Sequence, residues 1–245
     1  NVPVSDNFAI RASVQNQERD GFKENIIPGG YDYDDLDQLV AKIRSKWTIS
    51  DDTTLELSHT YASIKDVANS GAVSADSGNS RGISFGGITT TRRDQIASSP
   101  TAVEQNPDGP KHHMDSTAIR LDTVIGGYAV AVFANDSMNN ERRFGDYDAT
   151  SFNDIEVTAI ENQSEEKGAG LEISSNNDGP FNWIVGMNYF EQTVNYDFDL
   201  RIGAIGGGQT PASTGWGTYN LDTHGLFASF DYEMSEQLTL NIGGR

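Results

Sequence analysis

Cysteine is absent from the 245-residue chain, which removes disulfides, thiolate metal sites and cysteine nucleophiles together. Long apolar runs are absent as well. The longest, Tyr128 to Ala134, falls far short of the roughly 20 residues that a membrane helix needs. That excludes membrane helices but not membrane strands, which need only about 9 to 11 residues and alternate their faces. Nothing at the N-terminus has the pattern of a signal peptide. Positive charge is scarce: 17 Lys and Arg stand against 36 Asp and Glu, a formal net charge of −19. Nucleic acid is therefore not expected as a partner, since phosphate binding draws on clustered cations. An acidic lumen, acidic loops or a soluble acidic surface all fit this balance.

What the chain does contain is glycine, 25 residues of it, clustered with Asn, Asp and Ser between short alternating runs. Such punctuation marks turns between strands rather than helices. Nine alternating runs can be read: Asn7 to Gln17, Gln38 to Thr48, Thr54 to Ser63, Ser116 to Asp122, Tyr128 to Ala134, Glu165 to Ser174, Asn182 to Val194, Thr223 to Tyr232, and Leu238 onward. The connections between them alternate long and short. Ser50–Thr53, Gly126–Gly127, Asn176–Pro180 and Glu233–Gln237 are tight and polar, whereas Glu18–Asp37, Ile64–Asp115, Asn135–Ser164 and a Gly-rich stretch of about 28 residues after Val194 predict long loops. Sorting of this kind is the habit of an up-and-down barrel with short turns at one rim and long loops at the other.

Charge and aromatic placement point the same way. The residues that make the apolar face of each run, as in Trp183, Val185, Met187 and Tyr189 or Ala169, Leu171 and Ile173, carry no formal charge, with His59 the most polar among them. Arg11, Lys42, Arg44, Lys46, Glu56, Arg120, Asp122, Glu172, Asp231 and Arg245 all fall on the other parity. Phe8, Trp47, Tyr128, Trp183 and Tyr232 gather at the short-turn end of the apolar parity, and Tyr61 and Tyr189 toward the long-loop end, like two interfacial girdles. A soluble sheet with one wet face also alternates, so a soluble carbohydrate-binding β-domain stays open at this point.

Few residues suggest covalent or metal chemistry. His112 and His113 are adjacent and diverge on any regular element, which makes them surface histidines rather than a ligand pair. Asp32, Asp34, Asp35 and Asp37 form an acidic run without the Gly and terminal Glu of a calcium loop, so Asp32, Asp34 and Asp35 are only weak metal candidates. Gly203, Gly206, Gly207 and Gly208 lack the order and the Lys of a phosphate loop. Neither a catalytic triad nor a cofactor is expected. Ligand contact is assigned instead to loop residues: Trp216 and Tyr219 in the Gly-rich stretch and Tyr31 and Tyr33 in the first loop can stack on rings, while Arg142 and Arg143 can attract an anion.

The run Leu226, Phe227, Ala228, Ser229, Phe230, Asp231, Tyr232, Glu233, a polar turn, then Leu238, Thr239, Leu240, Gly243, Gly244 and Arg245 resembles the strand-turn-strand of a TonB-dependent outer-membrane receptor barrel. Trp183, Gly186, Asn188, Tyr189 and Phe190 resemble the preceding family strand, and Val4 to Arg11 followed by Arg19, Asp20 and Gly21 an early one. One family feature differs: Gly170, Leu171, Glu172, Ile173, Ser174 and Ser175 stand where Glu-Leu-Arg and paired serines are usual, so no role is carried there. The resemblance implies an all-β, antiparallel meander forming part of a 22-strand type transmembrane barrel, with residues 1–245 as barrel and no plug domain among them. It implies energy-coupled uptake of a scarce nutrient such as a ferric siderophore, cobalamin or oligosaccharide, and no enzymatic activity. Its expected partners are the lipid bilayer with lipopolysaccharide, the small nutrient and, through a plug, the TonB complex. An open-edged piece of such a sheet could also self-associate into filaments.

Overall fold

Alternating side chains bury or wet a whole face when strands pair with matching parity, and short turns between successive strands make that pairing antiparallel. The structure, a computed structural model, describes residues 2–30, 32–65, 94–97, 111–146, 155–177, 179–204 and 207–245. Every regular element in them is a strand: β1 Val2–Ser5, β2 Phe8–Arg19, β3 Glu24–Asn25, β4 Leu36–Ser50, β5 Thr53–Lys65, β6 Gln95–Ile96, β7 Lys111–Ile125, β8 Tyr128–Asp146, β9 Ile155–Ser175, β10 Phe181–Ala204, β11 Gly207–Ser235 and β12 Leu238–Gly244. Ten of these form one meander, in the order β1-β2-β4-β5-β7-β8-β9-β10-β11-β12, and β3 pairs with β6 in a separate parallel ladder.

The all-β meander agrees with the sequence reading, but strand number and length do not. The N-terminal run is a hairpin, with β1 folding back on β2 through Asp6 and Asn7, and the Ser5 hydroxyl donates to Asn7 Oδ1 at 2.8 Å. A strand of four residues is too short to show a period, which is why nine runs were readable and ten strands pair. The larger correction concerns the loops. β9, β10 and β11 run for 21, 24 and 29 residues, so most of the Gly-rich stretch is paired strand, and only positions 205–206 separate β10 from β11. A spanning strand needs about 9 to 11 residues. Past that length the belt parity turns polar: on β10 Glu191, Thr193, Asn195 and Asp197 follow Tyr189, and the apolar alternation moves to Val194, Tyr196, Phe198 and Leu200 on the other parity.

The short turns nevertheless collect at one end as expected. Ser50 pairs with Thr53, Ile125 with Tyr128 and Ser235 with Leu238, each across two residues. Gly126 and Gly127 have φ of 59° and 84°, the two positive values that a twist-matched two-residue hairpin requires.

Register carries the parity across the sheet. Phe8 lies opposite Trp47, Trp47 opposite Leu55 and Leu55 opposite Leu121. Val132 is opposite Leu171, Leu171 opposite Met187 and Met187 opposite Leu226, giving an apolar face that no other element covers among the described residues; Leu226 is 75 % exposed. At the short-turn end its rings meet: Tyr128 and Trp183 lie 5.8 Å apart, and Phe181 stacks on Phe230 at 6.2 Å. Toward the other end Tyr61 meets His113 edge-on and Tyr189 meets His224, each at 5.1 Å. His59 is satisfied on this face, with Nδ1 at 2.9 Å from Thr117 Oγ1 and Nε2 at 3.6 Å from Asp115.

The opposite face is knitted by large side chains lying over glycines of the next strand. A Cβ at Gly170 would come within 2.3 Å of the Phe133 ring, one at Gly186 within 2.4 Å of Phe227, and one at Gly217 within 2.6 Å of Tyr196. These glycines are the space into which the neighbouring ring folds.

Candidate functional site

The polar face concentrates what little positive charge the chain has. Arg11 of β2 lies directly opposite Arg44 of β4, with Ser13 opposite Lys42 one step along and Ala9 opposite Lys46 one step back. Lys46 in turn faces Glu56 of β5, which faces Arg120 of β7. Lys46 Nζ is 3.4 Å from Glu56 and Arg120 Nη2 is 2.8 Å from Asp122. Arg11, Lys42 and Arg44 have no ion pair among the described residues. Arg11, Arg44, Lys46, Glu56 and Arg120, together with Ala9 and Ser58, line a groove of about 570 Å³. Like charges facing each other across strands repel. Such a groove attracts anions.

Cation count alone does not reveal this cluster. Three of its members share one run and one parity, which the sequence shows, but Arg11 and Arg120 join them only through the register of β2 and β7.

The six residues expected to touch ligand do not form one site. Trp216 and Tyr219 lie on strand β11, not in a loop, and on opposite faces: Trp216 pairs with Asp197 on the apolar parity, Tyr219 with Val194 on the polar parity. Trp216 is 84 % exposed. Arg142 is likewise on strand β8, paired in register with Glu161, and its Nε lies 3.0 Å from Glu161 Oε1. Arg143 also belongs to β8 and pairs with Ile160; its side chain is not among those described. Tyr31 lies outside the described residues. Tyr33 is only 2 % exposed and its backbone pairs with Lys23, so it is buried in the first connection rather than facing solvent.

The weak metal candidates are engaged locally. Asp34, the one non-glycine residue with positive φ among those described, lies 2.7 Å from Lys23 Nζ, and Asp32 Oδ1 accepts from the backbone N–H of Asn25 at 2.9 Å. Among the described residues no group of three or more His, Asp or Glu is arranged around a common cation position.

Beyond the Tyr189–His224 row the apolar face turns polar. Glu191, Asp222, Lys167 and Asp136 form the next row, and the Tyr189 hydroxyl donates to Glu191 at 2.7 Å. Two steps further, His113, Asn140, Gln163, Asn195 and Thr218 stand directly opposite one another on five successive strands. Arg142, Glu161, Asp197 and Trp216 make the row after that.

No protein-family model and no curated protein matches the sequence. Solved structures do match in fold. The ferric yersiniabactin uptake receptor FyuA from Yersinia pestis superposes with a TM-score of 0.75 at 10% identity, over 98% of this chain and 34% of that one. The chain has the wall fold of an outer-membrane receptor barrel. The siderophore receptor PiuA from Acinetobacter baumannii gives a TM-score of 0.58 at 12% identity over 98% and 42% of the two chains. The RagAB peptide transporter gives 0.54 at 12% identity over 93% and 29%. The chain thus spans between about three and four tenths of the receptor chains it matches, and all of its ten-stranded meander falls in their barrel type. Those receptor barrels serve cargo as different as an iron chelate and a peptide, so the shared wall does not name a ligand.

Proposed function

We propose that residues 1–245 are part of the barrel of a larger, TonB-dependent outer-membrane receptor that takes up a scarce nutrient by energy-coupled transport. The observation that carries this is the register-matched split of the sheet. One face runs uncharged from Phe8, Trp47 and Leu55 through Val132, Leu171 and Met187 to Leu226, while the other holds Arg11, Lys42, Arg44, Glu56 and Arg120. Mid-bilayer Arg or Lys on a lipid-facing position costs about 2 to 4 kcal/mol. A face kept clear of charge at these positions across eight strands, β2 to β11, is what lipid contact demands.

In this reading the apolar face meets the bilayer, Trp183 and Tyr232 sit at the periplasmic rim, and the strand extensions project outward. The polar face lines the lumen, where the Arg11–Arg44 groove receives an anionic cargo such as a ferric chelate, or the carboxylates of a plug through which the TonB complex acts. No covalent chemistry is assigned.

The test is fractionation and uptake with the full-length protein. Recovery in the outer membrane, heat-modifiable migration on a denaturing gel and uncoupler-sensitive uptake of one of a panel of ferric chelates, cobalamin and oligosaccharides are expected. A monodisperse monomer that stays in solution without detergent would overturn the reading.

A further inference from the structure

His112 and His113 are neighbours in the chain, and the pleat of β7 sends them to opposite faces of the sheet. We propose that His112 and Met114 bind a soft monovalent cation, Cu(I), on the polar face. The site goes beyond the receptor reading and needs only the register of β7 with its neighbours.

Register comes first. Two residues apart on β7, His112 and Met114 share the parity of Arg120, with Ile64 and Ala62 opposite them on β5 and Glu141 and Asn139 opposite them on β8. The positions His112, Met114, Glu141 and Asn139 thus mark a rectangle of about 6.6 to 6.8 Å along the strand and about 4.5 to 5.5 Å across it. Side chains of this length can meet around one ion.

The histidine is held ready for a ligand's role. Its Nε2 lies 2.6 Å from Asn139 Oδ1, and because an amide oxygen only accepts, Nε2 carries the proton and donates. Nδ1 keeps its lone pair and has no partner among the described residues. Donation from one ring nitrogen to a protein oxygen fixes the tautomer and the ring orientation in which the other nitrogen binds metal. His113 offers the contrast: on the opposite face it contacts Asp115 and meets the Tyr61 ring edge-on, so its partners are already supplied.

The methionine then names the metal. Of the four in the chain, Met138 and Met187 lie on the belt parity and Met234 beside the Ser235 turn, whereas Met114 stands on the polar face. A thioether selects Cu(I), and imidazole suits Zn and Cu, so copper is the metal that both donors favour. With three rotatable bonds, Met114 can bring its sulfur to the ion. Glu141 adds a negative charge directly across from His112. Only two members of the rectangle are of the His, Asp and Glu type, in keeping with the lack of any three-membered set of these among the described residues.

The experiment uses the full-length protein in mild detergent, with each metal alone as the probe: Cu(I) under anaerobic conditions against a competing chelator, Ag(I) as its redox-inert counterpart, and Zn(II). Wild type should hold Cu(I) and Ag(I) at least about tenfold more tightly than Zn(II). His112→Gln and Met114→Leu should each weaken Cu(I) binding about tenfold or more, while His113→Gln, on the other face, should bind as wild type does. Met114→Leu nearly conserves volume, which keeps the fold. A direct readout uses methyl-labelled methionine: Ag(I) should move the Met114 resonance, assigned as the signal missing from Met114→Leu, and leave those of Met138 and Met187 in place. Equal Cu(I) binding by wild type, His112→Gln and Met114→Leu overturns the proposal. So do equal weakening in His113→Gln, Zn(II) held as tightly as Cu(I), or a Met114 resonance that Ag(I) does not move. A protein absent from the outer membrane would defeat the receptor reading and leave the metal result standing.

Discussion

Phe133 on β8 folds over Gly170 of β9, its register partner, so closely that a Cβ there would lie 2.3 Å from Phe133 Cζ. The Arg120 guanidinium carbon sits 5.8 Å from the centre of the same ring and its Nε donates to Asp122 at 2.9 Å. A glycine on one strand thereby fixes an aromatic on the next and a cation on the one after.

Filling that space should be costly. Gly170→Val and Gly186→Val each force a ring to move in a packed interstrand position, a class of change that destabilises by about 1 to 3 kcal/mol. Gly244→Ala, which meets nothing within 4 Å, serves as the control and should stay within about 0.5 kcal/mol of wild type. Urea titration of the heat-modifiable folded band measures the difference.

The apolar face should reject charge while the polar face accepts it. Leu226→Arg places a cation at a position that is 75 % exposed on the belt and should cost about 2 to 4 kcal/mol of folding stability in a bilayer. Ser116→Arg, on the opposite parity of β7 between Thr60 and Ser137, should change stability by less than about 0.5 kcal/mol. Equal effects from the two substitutions would contradict the assignment of faces.

The facing pair Arg11 and Arg44 should make folding sensitive to salt. Removing one charge in Arg11→Gln is expected to raise stability in dilute buffer, and the gain should vanish near 1 M salt, where the screening length is only about 3 Å. An anionic cargo that docks on the groove should bind the same variant less tightly. Stability and affinity are thus expected to move in opposite directions.

The first connection should open locally when its buried ring is removed. Tyr33→Ala removes a ring that is only 2 % exposed, a truncation of a kind that costs about 3 kcal/mol or more where packing is tight. Limited trypsin digestion should then cut after Lys23 in the variant and spare it in wild type, while the thermal transition of the sheet stays near its original position.

Parity was legible in the sequence wherever one face is apolar. Trp183, Val185, Met187 and Tyr189 announce the belt, and the structure lines them up with Ile173, Leu171 and Ala169 of the neighbouring strand. Past Tyr189 the apolar parity gives way to Glu191, Thr193, Asn195 and Asp197, while Val194, Tyr196, Phe198 and Leu200 alternate on the opposite parity, so the period continues with its faces exchanged. That exchange of faces, and the mostly polar run from Asn135 to Arg143, is why the sequence predicts loops at Trp216, Tyr219 and Arg142. Knowledge of a strand there would have shown at once that Trp216 and Tyr219 diverge. The facing of Arg11 and Arg44, or of Phe133 and Gly170, depends on hairpin register, which a one-residue slip would destroy.

The central claim is that one face of this sheet meets lipid and the other lines a lumen, and the cysteine-free sequence permits a direct measurement. Single cysteines at Val185, Met187 and Leu226, and at Asn188, Ser58 and Ala118, would each carry a unique fluorophore in the full-length protein reconstituted into bilayers. Quenching by brominated acyl chains should be strong at the first three and weak at the last three. Strong quenching by a water-soluble agent at all six, with none from the brominated lipid, would contradict the account.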